Sequence, residues 1–282
     1  MKKFAVTIVS PPGYIHSAVF REVAESIHYG LLSLGHDCVL TADGNLPGRQ
    51  HIVLGSNLLP GHPIPLAPDA ILYNLEQVDP QSSWFRPALI DIFRQYSLWD
   101  YSHRNVAELK HLGVHVAHVL PIGYVKQLTR IKPSVHRDID VLFFGSVNPR
   151  RFEIMERLRA AGLNAVAVFG AYGEERDALI ARSKLLLNVH FYEAKVLEMV
   201  RISYLLANGC AVLSERSSDR SEDESLGDAV AFADYDDLVG TALALINNPE
   251  HREQLARRGF EVMSSRLMSN YLRAALDQPA SS

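Results

Sequence analysis

The chain has 282 residues, a formal net charge of −4 and two cysteines. This length fits two domains of roughly 100–150 residues each better than one core. With 48% hydrophobic and 21% charged residues, the composition excludes extensive disorder, and the weak negative charge excludes the basic footprint of a nucleic-acid or anionic-membrane binder. Cys38 and Cys210 form neither a disulfide framework nor a metal-ligand spacing, so we expect a cytoplasmic protein.

The first half of the chain alternates short apolar runs with amphipathic stretches, which predicts parallel βα units. The first run is followed by Pro-Pro, typical of a strand rather than a signal peptide, and no segment has the roughly 18 apolar residues that span a bilayer. Strands are predicted at residues 4–9, 37–41, 51–55, 70–74, 98–102 and 116–120. Helices are predicted at residues 18–35, 86–96 and 104–112.

Polar side chains follow several of these strands, where ligands bind in parallel sheets. The loop after the first strand contains Gly13 and Tyr14 but no G-x-G-x-x-G, which argues against a dinucleotide-dependent dehydrogenase. Glu76 and Asp100 lie at later strand ends, and His16 lies near the first. Gly13 and Tyr14 are candidates for contact with the acceptor substrate. For Gly13 and His16, a turn glycine and a surface histidine are as good an interpretation as contact with an acceptor or a phosphate.

The stretch 125–137 has no clear period and is predicted to connect the two domains. The βα pattern then restarts, with strands at residues 139–144, 166–170, 185–190, 210–213 and 229–233. Helices are predicted at residues 152–161, 174–182, 196–207, 235–246, 251–265 and 267–276, and a loop at 216–227. Asp138 and Asp140 precede a strand, so we interpret them as structural rather than metal-binding.

The loop after the strand 139–144 has the composition of an anion site. Small residues let backbone N–H groups approach a phosphate, and a following helix start and two arginines add positive charge. The candidate residues are Gly145, Ser146, Asn148, Arg150 and Arg151. The alternative is a solvated basic helix start. Gly170 and Tyr172 follow the next strand and are candidates for contact with a nucleoside base.

Residues 184–215 form one predicted strand–loop–helix–loop–strand unit with its polar residues at the strand's exit. His190 closes the strand, Glu193 follows in the loop, and Glu198 and Arg201 lie three apart on one helix face. An arginine beside a carboxylate suits a phosphate and a ribose diol. An ordinary surface ion pair is the alternative.

These residues resemble a known family through VLFFGSVNPRR, LLLNVH and VRISYLLANGCAVLSE. The pattern is similar to that of glycosyltransferases of the GT-B fold, in particular the spore-coat-type and group 1-like bacterial enzymes. The resemblance implies an α/β chain of two Rossmann-like domains with parallel sheets. It implies an acceptor domain at 1–124, a linker at 125–137, a donor domain at 138–265, and, at 266–282, a helix returning to the first domain and a tail.

The resemblance also implies a nucleoside-diphosphate sugar as the donor substrate, with no cofactor and no obligatory metal. One position departs from the pattern, because Tyr204 stands where the family has the glutamate that binds the donor ribose. Glu198, Glu193 or Arg201 is then expected to take over that role.

We therefore predict a hexosyltransferase-like glycosyltransferase that acts on an unidentified acceptor, without nucleic acid or a transmembrane segment. UDP is the working nucleotide, although the sequence leaves the base open. If the reaction inverts, the acceptor's base is His16, Asp100 or Glu76, in falling order of preference. The alternatives are a sugar-nucleotide epimerase, a phosphorylase, or a catalytically silent nucleotide-sugar binder.

Overall fold

A computed structural model describes residues 1–79 and 81–277. The described chain divides into two compact units. Unit 1 contains residues 1–125 and returns at 266–277, and unit 2 is Lys126–Ser265. The tail expected within 266–282 lies, from residue 278 onward, outside the described residues.

Unit 1 is built on a parallel sheet in the order β2-β1-β3-β4-β5-β6. Its strands are β1 (Lys3–Ile8), β2 (Asp37–Thr41), β3 (Gln50–Leu54), β4 (Ile71–Asn74), β5 (Ser97–Asp100) and β6 (His118–Val119). Its helices are α1 (Arg21–Ser33), α2 (Pro87–Phe93), α3 (His103–His111) and α10 (Met268–Asp277). Each central strand is an apolar run buried on both faces, because helices cover the sheet.

Helix α10 belongs to unit 1 because it packs against α1. Gly30 of α1 makes room for it, since a Cβ at that position would lie 2.7 Å from a methyl carbon of Leu272. Backbone hydrogen bonds of Tyr124 with Arg266 and Met268 hold the start of this segment. The end of the chain is therefore part of the first core.

Unit 2 is built on a second parallel sheet, in the order β11-β10-β9-β7-β8. Its strands are β7 (Ile139–Phe144), β8 (Ala165–Val168), β9 (Ser183–Asn188), β10 (Val212–Glu215) and β11 (Ala231–Ala233). Its helices are α4 (Pro149–Ala160), α5 (Gly173–Ala181), α6 (Met199–Ala207), α7 (Arg220–Leu226), α8 (Leu238–Asn247) and α9 (Pro249–Ser265). The strand order reverses between β7 and β9, so the loops that follow these two strands flank a switch point, where parallel sheets bind ligands.

Two parallel sheets with helices between their strands confirm the predicted α/β fold class. The prediction of a loop over residues 216–227 was wrong, because most of this stretch forms α7. Asp219 caps α7 by accepting a hydrogen bond from the backbone N–H of Ser221, and Glu222 and Asp223 lie favourably in its first turn. The helix has few apolar residues, so the periodicity of the sequence did not reveal it.

Candidate functional site

The polar residues of unit 2 converge at the carboxyl ends of β7, β9 and β10. The loop after β7 carries Gly145 and leads into α4, and the loop after β9 carries Lys195 and leads into α6. Glu215 ends β10 beside them. These loops follow adjacent parallel strands, so residues far apart in sequence meet at one sheet edge.

Glu215 is the centre of one ion cluster. Its carboxylate, whose side chain is 1% exposed, accepts two hydrogen bonds from the Arg150 guanidinium and one from the backbone N–H of His190. Lys195 Nζ lies 3.1 Å from Glu215 Oε1. The Arg150 guanidinium also packs on the Tyr235 ring, 4.1 Å from its centroid. Arg150 is therefore held by a buried carboxylate and an aromatic face.

Arg151 is buried, and its donors point to protein acceptors. Its guanidinium donates to the carbonyl oxygens of Val189 and Ser146, each at 2.8 Å, and lies 3.4 Å from Glu198 Oε1. Burial lowers its pKa to about 9, which still leaves it charged at neutral pH. In this arrangement Arg151 ties together the loops after β7 and β9. The predicted role of Arg151 in a diphosphate cradle stays a prediction, and its contacts favour a structural role.

Glu198 precedes α6 and lies within a second ion cluster. His190 Nδ1 is 2.9 Å from Glu198 Oε2, and the Asn188 amide donates to the same oxygen at 2.8 Å. Burial alone would raise the pKa of Glu198, but the charges of His190, Arg201 and Arg151 outweigh it and hold the pKa at about 2. Burial lowers the pKa of His190, yet the neighbouring carboxylates reverse this and raise it. Glu198 is therefore ionised and favours a protonated histidine.

Arg201 differs from the other two arginines in its partners. Its Nη1 donates to Asn188 Oδ1, and no carboxylate of the described residues lies within ion-pair distance. The guanidinium packs against the rings of Phe143 and Phe144. Its Nη2 lies beside Gly145, where a Cβ would approach to 2.7 Å. Arg201 thus retains unused donors, and the missing Cβ of Gly145 makes room for its guanidinium.

The other predicted donor residues occupy the same sheet edge or its neighbourhood. Asn148 caps α4 by accepting from the backbone N–H of Arg151, and Ser146 is exposed in the loop before it. Gly170 follows β8 with φ +79°, and partly exposed Tyr172 precedes α5. Glu193 is exposed in the loop between β9 and α6.

Tyr204, which stands at the family's glutamate position, is buried on α6. Its hydroxyl donates to Asp177 Oδ2 at 2.7 Å and accepts from Arg130 Nε at 3.0 Å. Burial and the hydrogen bond to Asp177 raise the pKa of Tyr204 well above its usual value, so the hydroxyl stays neutral. The tyrosine therefore packs against α5 and the segment 126–131.

Sequence reasoning did not select three residues that complete these clusters. Asn188 is fully buried and bridges Glu198 to Arg201, and Glu215 and Lys195 form the other cluster. The polar ends of two apolar strands, Asn188 and Glu215, were a usable signal. The sequence contains no comparable signal for Lys195.

In unit 1, Asp100 is fully buried at the end of β5. Its carboxylate accepts from Asn74 Nδ2 at 2.6 Å, from Ser102 N at 2.8 Å and from Asn105 Nδ2 at 3.0 Å. Burial raises the pKa of Asp100 to about 7, against these hydrogen bonds. Asp100 is fully buried and accepts three hydrogen bonds, so its contacts favour a positioning role over that of a base.

The same network positions Glu76 after β4. The side-chain amides of Asn74 and Asn105 both donate to the Glu76 carbonyl oxygen, at 2.9 and 3.0 Å. The Glu76 carboxylate is partly exposed and lies 3.4 Å from Asn57 Nδ2. Burial raises its pKa to about 7. Glu76 is thus a fixed, accessible carboxylate that can hold a proton near neutral pH.

The loop after β1 lies close to this carboxylate. Gly13 is exposed with φ +74°, and Tyr14 is partly exposed with a pKa raised by burial and by the charge of Glu76. His16 packs edge-on against Tyr14, with ring centroids 5.2 Å apart. The charge of Glu76 therefore acts on the Tyr14 hydroxyl.

The described residues were also compared with the requirements of a membrane span and of a metal site. The helices described in residues 1–79 and 81–277 are each too short or too polar to cross a bilayer. Over the same residues, no three His, Cys, Asp or Glu side chains form a group that could hold a metal ion. The side chains of Asp138 and Asp140 are paired with Arg182 and Lys184 before β7 and within it.

Comparison with solved structures identifies the architecture. The chain superposes on WaaG, a glycosyltransferase involved in lipopolysaccharide biosynthesis, with a TM-score of 0.58, 12% identity and coverage of 98% of each chain. The T4 phage β-glucosyltransferase gives a TM-score of 0.57 at 11% identity, covering 99% of this chain and 100% of that one. AviGT4, a glycosyltransferase involved in avilamycin A biosynthesis, gives 0.56 at 15% identity, with 98% and 97% covered. The chain has the GT-B fold.

Sequence comparison of this GT-B chain finds similarity over part of its length. An uncharacterised protein of Acanthamoeba polyphaga mimivirus is 28% identical over 186 residues, which cover 63% of this chain and 59% of that protein. A second uncharacterised mimivirus protein is 33% identical over 118 residues, which cover 41% of this chain and 13% of its own length. The match thus spans less than two thirds of these relatives. No protein-family model matches the chain.

Proposed function

We propose that the protein is a glycosyltransferase that transfers a sugar from a nucleoside-diphosphate sugar to a hydroxyl acceptor, without a metal ion. The observation that carries the proposal is Arg201, a cation without a paired carboxylate among the described residues, beside Gly145 at the switch point of the second sheet. Its neighbours strengthen the charge argument. Five cationic groups meet two carboxylates, Glu198 and Glu215, in the two clusters.

A surplus of positive charge at a parallel-sheet edge suits a diphosphate. Charge grows on the departing diphosphate as the sugar–phosphate bond breaks, and fixed cations and N–H groups stabilise it without reorganising. Arg201 supplies charge-assisted hydrogen bonds. In the loop before α4, the small residues Gly145 and Ser146 let backbone N–H groups approach a phosphate closely.

The buried groups of the clusters position Arg201. The Asn188 amide accepts from Arg201 and donates to Glu198, so that one side chain orients both. Glu198 in turn lies beside Arg151 and His190. Fixed neighbours reduce the entropy that Arg201 loses when it binds an anion, which favours tight binding.

The acceptor's hydroxyl is proposed to meet Glu76 of unit 1. A base must be accessible and titrate near neutral pH, and Glu76 meets both conditions, whereas Asp100 is fully buried. We therefore place Glu76 first among the three candidate bases and assign Asp100 to positioning. This step applies to an inverting reaction, since a retaining one needs no such base.

A thermal-shift panel tests the donor assignment. UDP, GDP, TDP, CMP and their sugars are compared, because selective binding raises the denaturation midpoint by mass action. One nucleoside diphosphate and its sugar are expected to stabilise the protein, and product analysis with that labelled donor then separates transfer from epimerisation. A flat panel contradicts the proposal.

A silent nucleotide-sugar binder is the second candidate, and Tyr204 is the observation that favours it. Its hydroxyl is engaged by Asp177 and Arg130, and the family's ribose-binding carboxylate is missing from that position. Donor binding without hydrolysis or transfer in a mixture of acceptors is the result that would support this candidate.

A further inference from the structure

Lys195 has an unusual backbone conformation. Its φ is +46°, and among the described residues it is the sole non-glycine residue with a positive φ. This conformation is disfavoured for a side chain with a Cβ, and it persists where the surroundings fix it, often at ligand clamps. The strain therefore calls for a reason to keep a lysine where glycine fits better.

The surroundings do fix this backbone. The Lys195 N–H donates to the Tyr192 carbonyl at 3.2 Å, and the Lys195 carbonyl accepts from Ser218 N at 3.0 Å. Ser218 Oγ also donates to the carbonyl oxygen of Ala194 at 2.6 Å. The loop between β9 and α6 is thereby pinned to the loop between β10 and α7. These bonds use backbone groups of Lys195, so they hold the loop without its ammonium.

The Lys195 ammonium is not needed to neutralise its partner Glu215. Glu215 already receives a bidentate pair from Arg150 and the N–H of His190, and Lys195 adds a third contact at 3.1 Å. The lysine side chain is 38% exposed and that of Glu215 is 1% exposed. Arg150 alone keeps the buried Glu215 carboxylate paired when the ammonium moves away. The charge of Lys195 is therefore available to an incoming anion.

We propose that Lys195 is a second cationic contact for the donor's diphosphate, held ready by Glu215 at the end of β10. The inference rests on the proposed function, which it deepens by adding a phosphate-binding residue. An ammonium binds phosphate as a compact point charge on a flexible stem, which suits a contact that must reach from a fixed loop. Binding requires rotation of the lysine side chain and leaves the Arg150–Glu215 pair in place.

The test uses the full chain and titration calorimetry. Lys195→Gly removes the charge and relieves the backbone strain, so it is expected to fold at least as well as the wild type. Lys195→Ala removes the charge alone, and Lys195→Arg keeps it. The control is Lys184→Ala, because Lys184 is paired with Asp140 at 2.7 Å and is 33% exposed, but lies at the start of β9, at the other edge of the sheet.

The probes are inorganic pyrophosphate and the nucleoside diphosphate that stabilises the wild type most. Binding of both should weaken at least fivefold in the Gly and Ala variants, and Lys195→Arg should recover most of it. Lys184→Ala should bind as the wild type does. A Lys195→Gly variant that binds both probes within twofold of the wild type overturns the inference.

Failure of the inference and failure of the proposed function are distinguishable. A wild type that transfers sugar, together with a Lys195→Gly variant of unchanged affinity, removes Lys195 and keeps the enzyme. A wild type that binds both probes through Lys195 but transfers no sugar keeps the contact and removes the enzyme. A wild type that binds neither probe contradicts both.

Discussion

Arg201 donates a hydrogen bond from Nη1 to the side-chain oxygen of Asn188, which is fully buried at the end of β9. The same amide donates to Glu198, so Asn188 sets the spacing between the carboxylate and the guanidinium. This leaves Arg201 oriented by a neutral partner, with its charge free to act on a ligand. The relationship explains why an arginine so close to Glu198 is not neutralised by a direct ion pair.

Replacing Arg201 by alanine is expected to weaken nucleoside-diphosphate binding about 10- to 100-fold, which corresponds to roughly 1.5–3 kcal/mol for charge-assisted hydrogen bonds. Calorimetric titration measures this change, and circular dichroism checks the fold. Arg182→Ala is the matched control, because Arg182 is an arginine of the same unit that is paired with Asp138 at the other end of the strands. A folded Arg201→Ala variant with unchanged affinity would return Glu198 and Arg201 to an ordinary ion cluster.

Replacing Arg151 by alanine is expected to destabilise unit 2 by about 3–5 kcal/mol, because it removes a cation beside the ionised Glu198 and the hydrogen bonds to the carbonyl oxygens of Val189 and Ser146. Urea unfolding measures the loss. Arg157→Ala, on the exposed face of α4, is the control and should change the free energy of unfolding by less than about 0.5 kcal/mol. Equal stability of Arg151→Ala and the wild type would show that Arg151 does not hold the two loops together.

Replacing Glu76 by glutamine is expected to lower the rate of transfer about 10²- to 10⁴-fold if the reaction inverts. The ionised carboxylate is the active form, and burial raises its pKa to about 7, so the wild-type rate should rise as the pH increases through about 7. The pH–rate profile measures this. Glu108→Gln is the control, since Glu108 is a partly exposed carboxylate of α3 paired with Arg104. An unchanged rate and profile in Glu76→Gln would exclude Glu76 as the base.

The free energy of unfolding should change with pH in the opposite direction to the rate of transfer. A carboxyl group with a raised folded-state pKa stabilises the fold most below its unfolded pKa, and this contribution disappears as the pH rises through about 7. The free energy of unfolding should therefore fall between roughly pH 4.5 and pH 7 more in the wild type than in Glu76→Gln. Denaturant titrations at several pH values test this, and parallel curves for the two proteins would contradict it.

Transfer is expected to survive a chelator, because protein cations are proposed to stabilise the departing diphosphate. The rate with excess chelator should stay within about twofold of the untreated rate, a difference of roughly 0.4 kcal/mol in activation free energy. Loss of the rate with recovery on adding magnesium or manganese would overturn the metal-independent mechanism. Attention would then turn to Asp138, Asp140 and residues 222–224.

The alternation of apolar runs and amphipathic stretches predicted both sheets, since strands buried on two faces must be apolar. It did not reveal α7, which is held by a cap and first-turn charges rather than by an apolar stripe. Unit 2 strand ends were predicted to converge, and the structure brings Asn148, His190 and Glu198 together there.

The roles of Arg150 and Arg151 could not be predicted from their adjacency. Neighbouring helical residues point about 100° apart, because an α-helix has 3.6 residues per turn. Arg150 reaches Glu215, 65 residues away, and Arg151 donates to the carbonyl oxygens of Val189 and Ser146. Which arginine keeps spare donors depends on such long-range partners, so Arg201 became distinguishable only in the folded chain.

The central claim is transfer from a nucleoside-diphosphate sugar, and product analysis with a labelled donor tests it most directly. The donor chosen from the thermal-shift panel is incubated with mixed hydroxyl acceptors and either the wild type or Arg201→Ala. The wild type should release the nucleoside diphosphate and place the labelled sugar on an acceptor, and Arg201→Ala should do so at least tenfold more slowly. Label that stays on the nucleotide, whether unchanged or as an epimer, would contradict the claim.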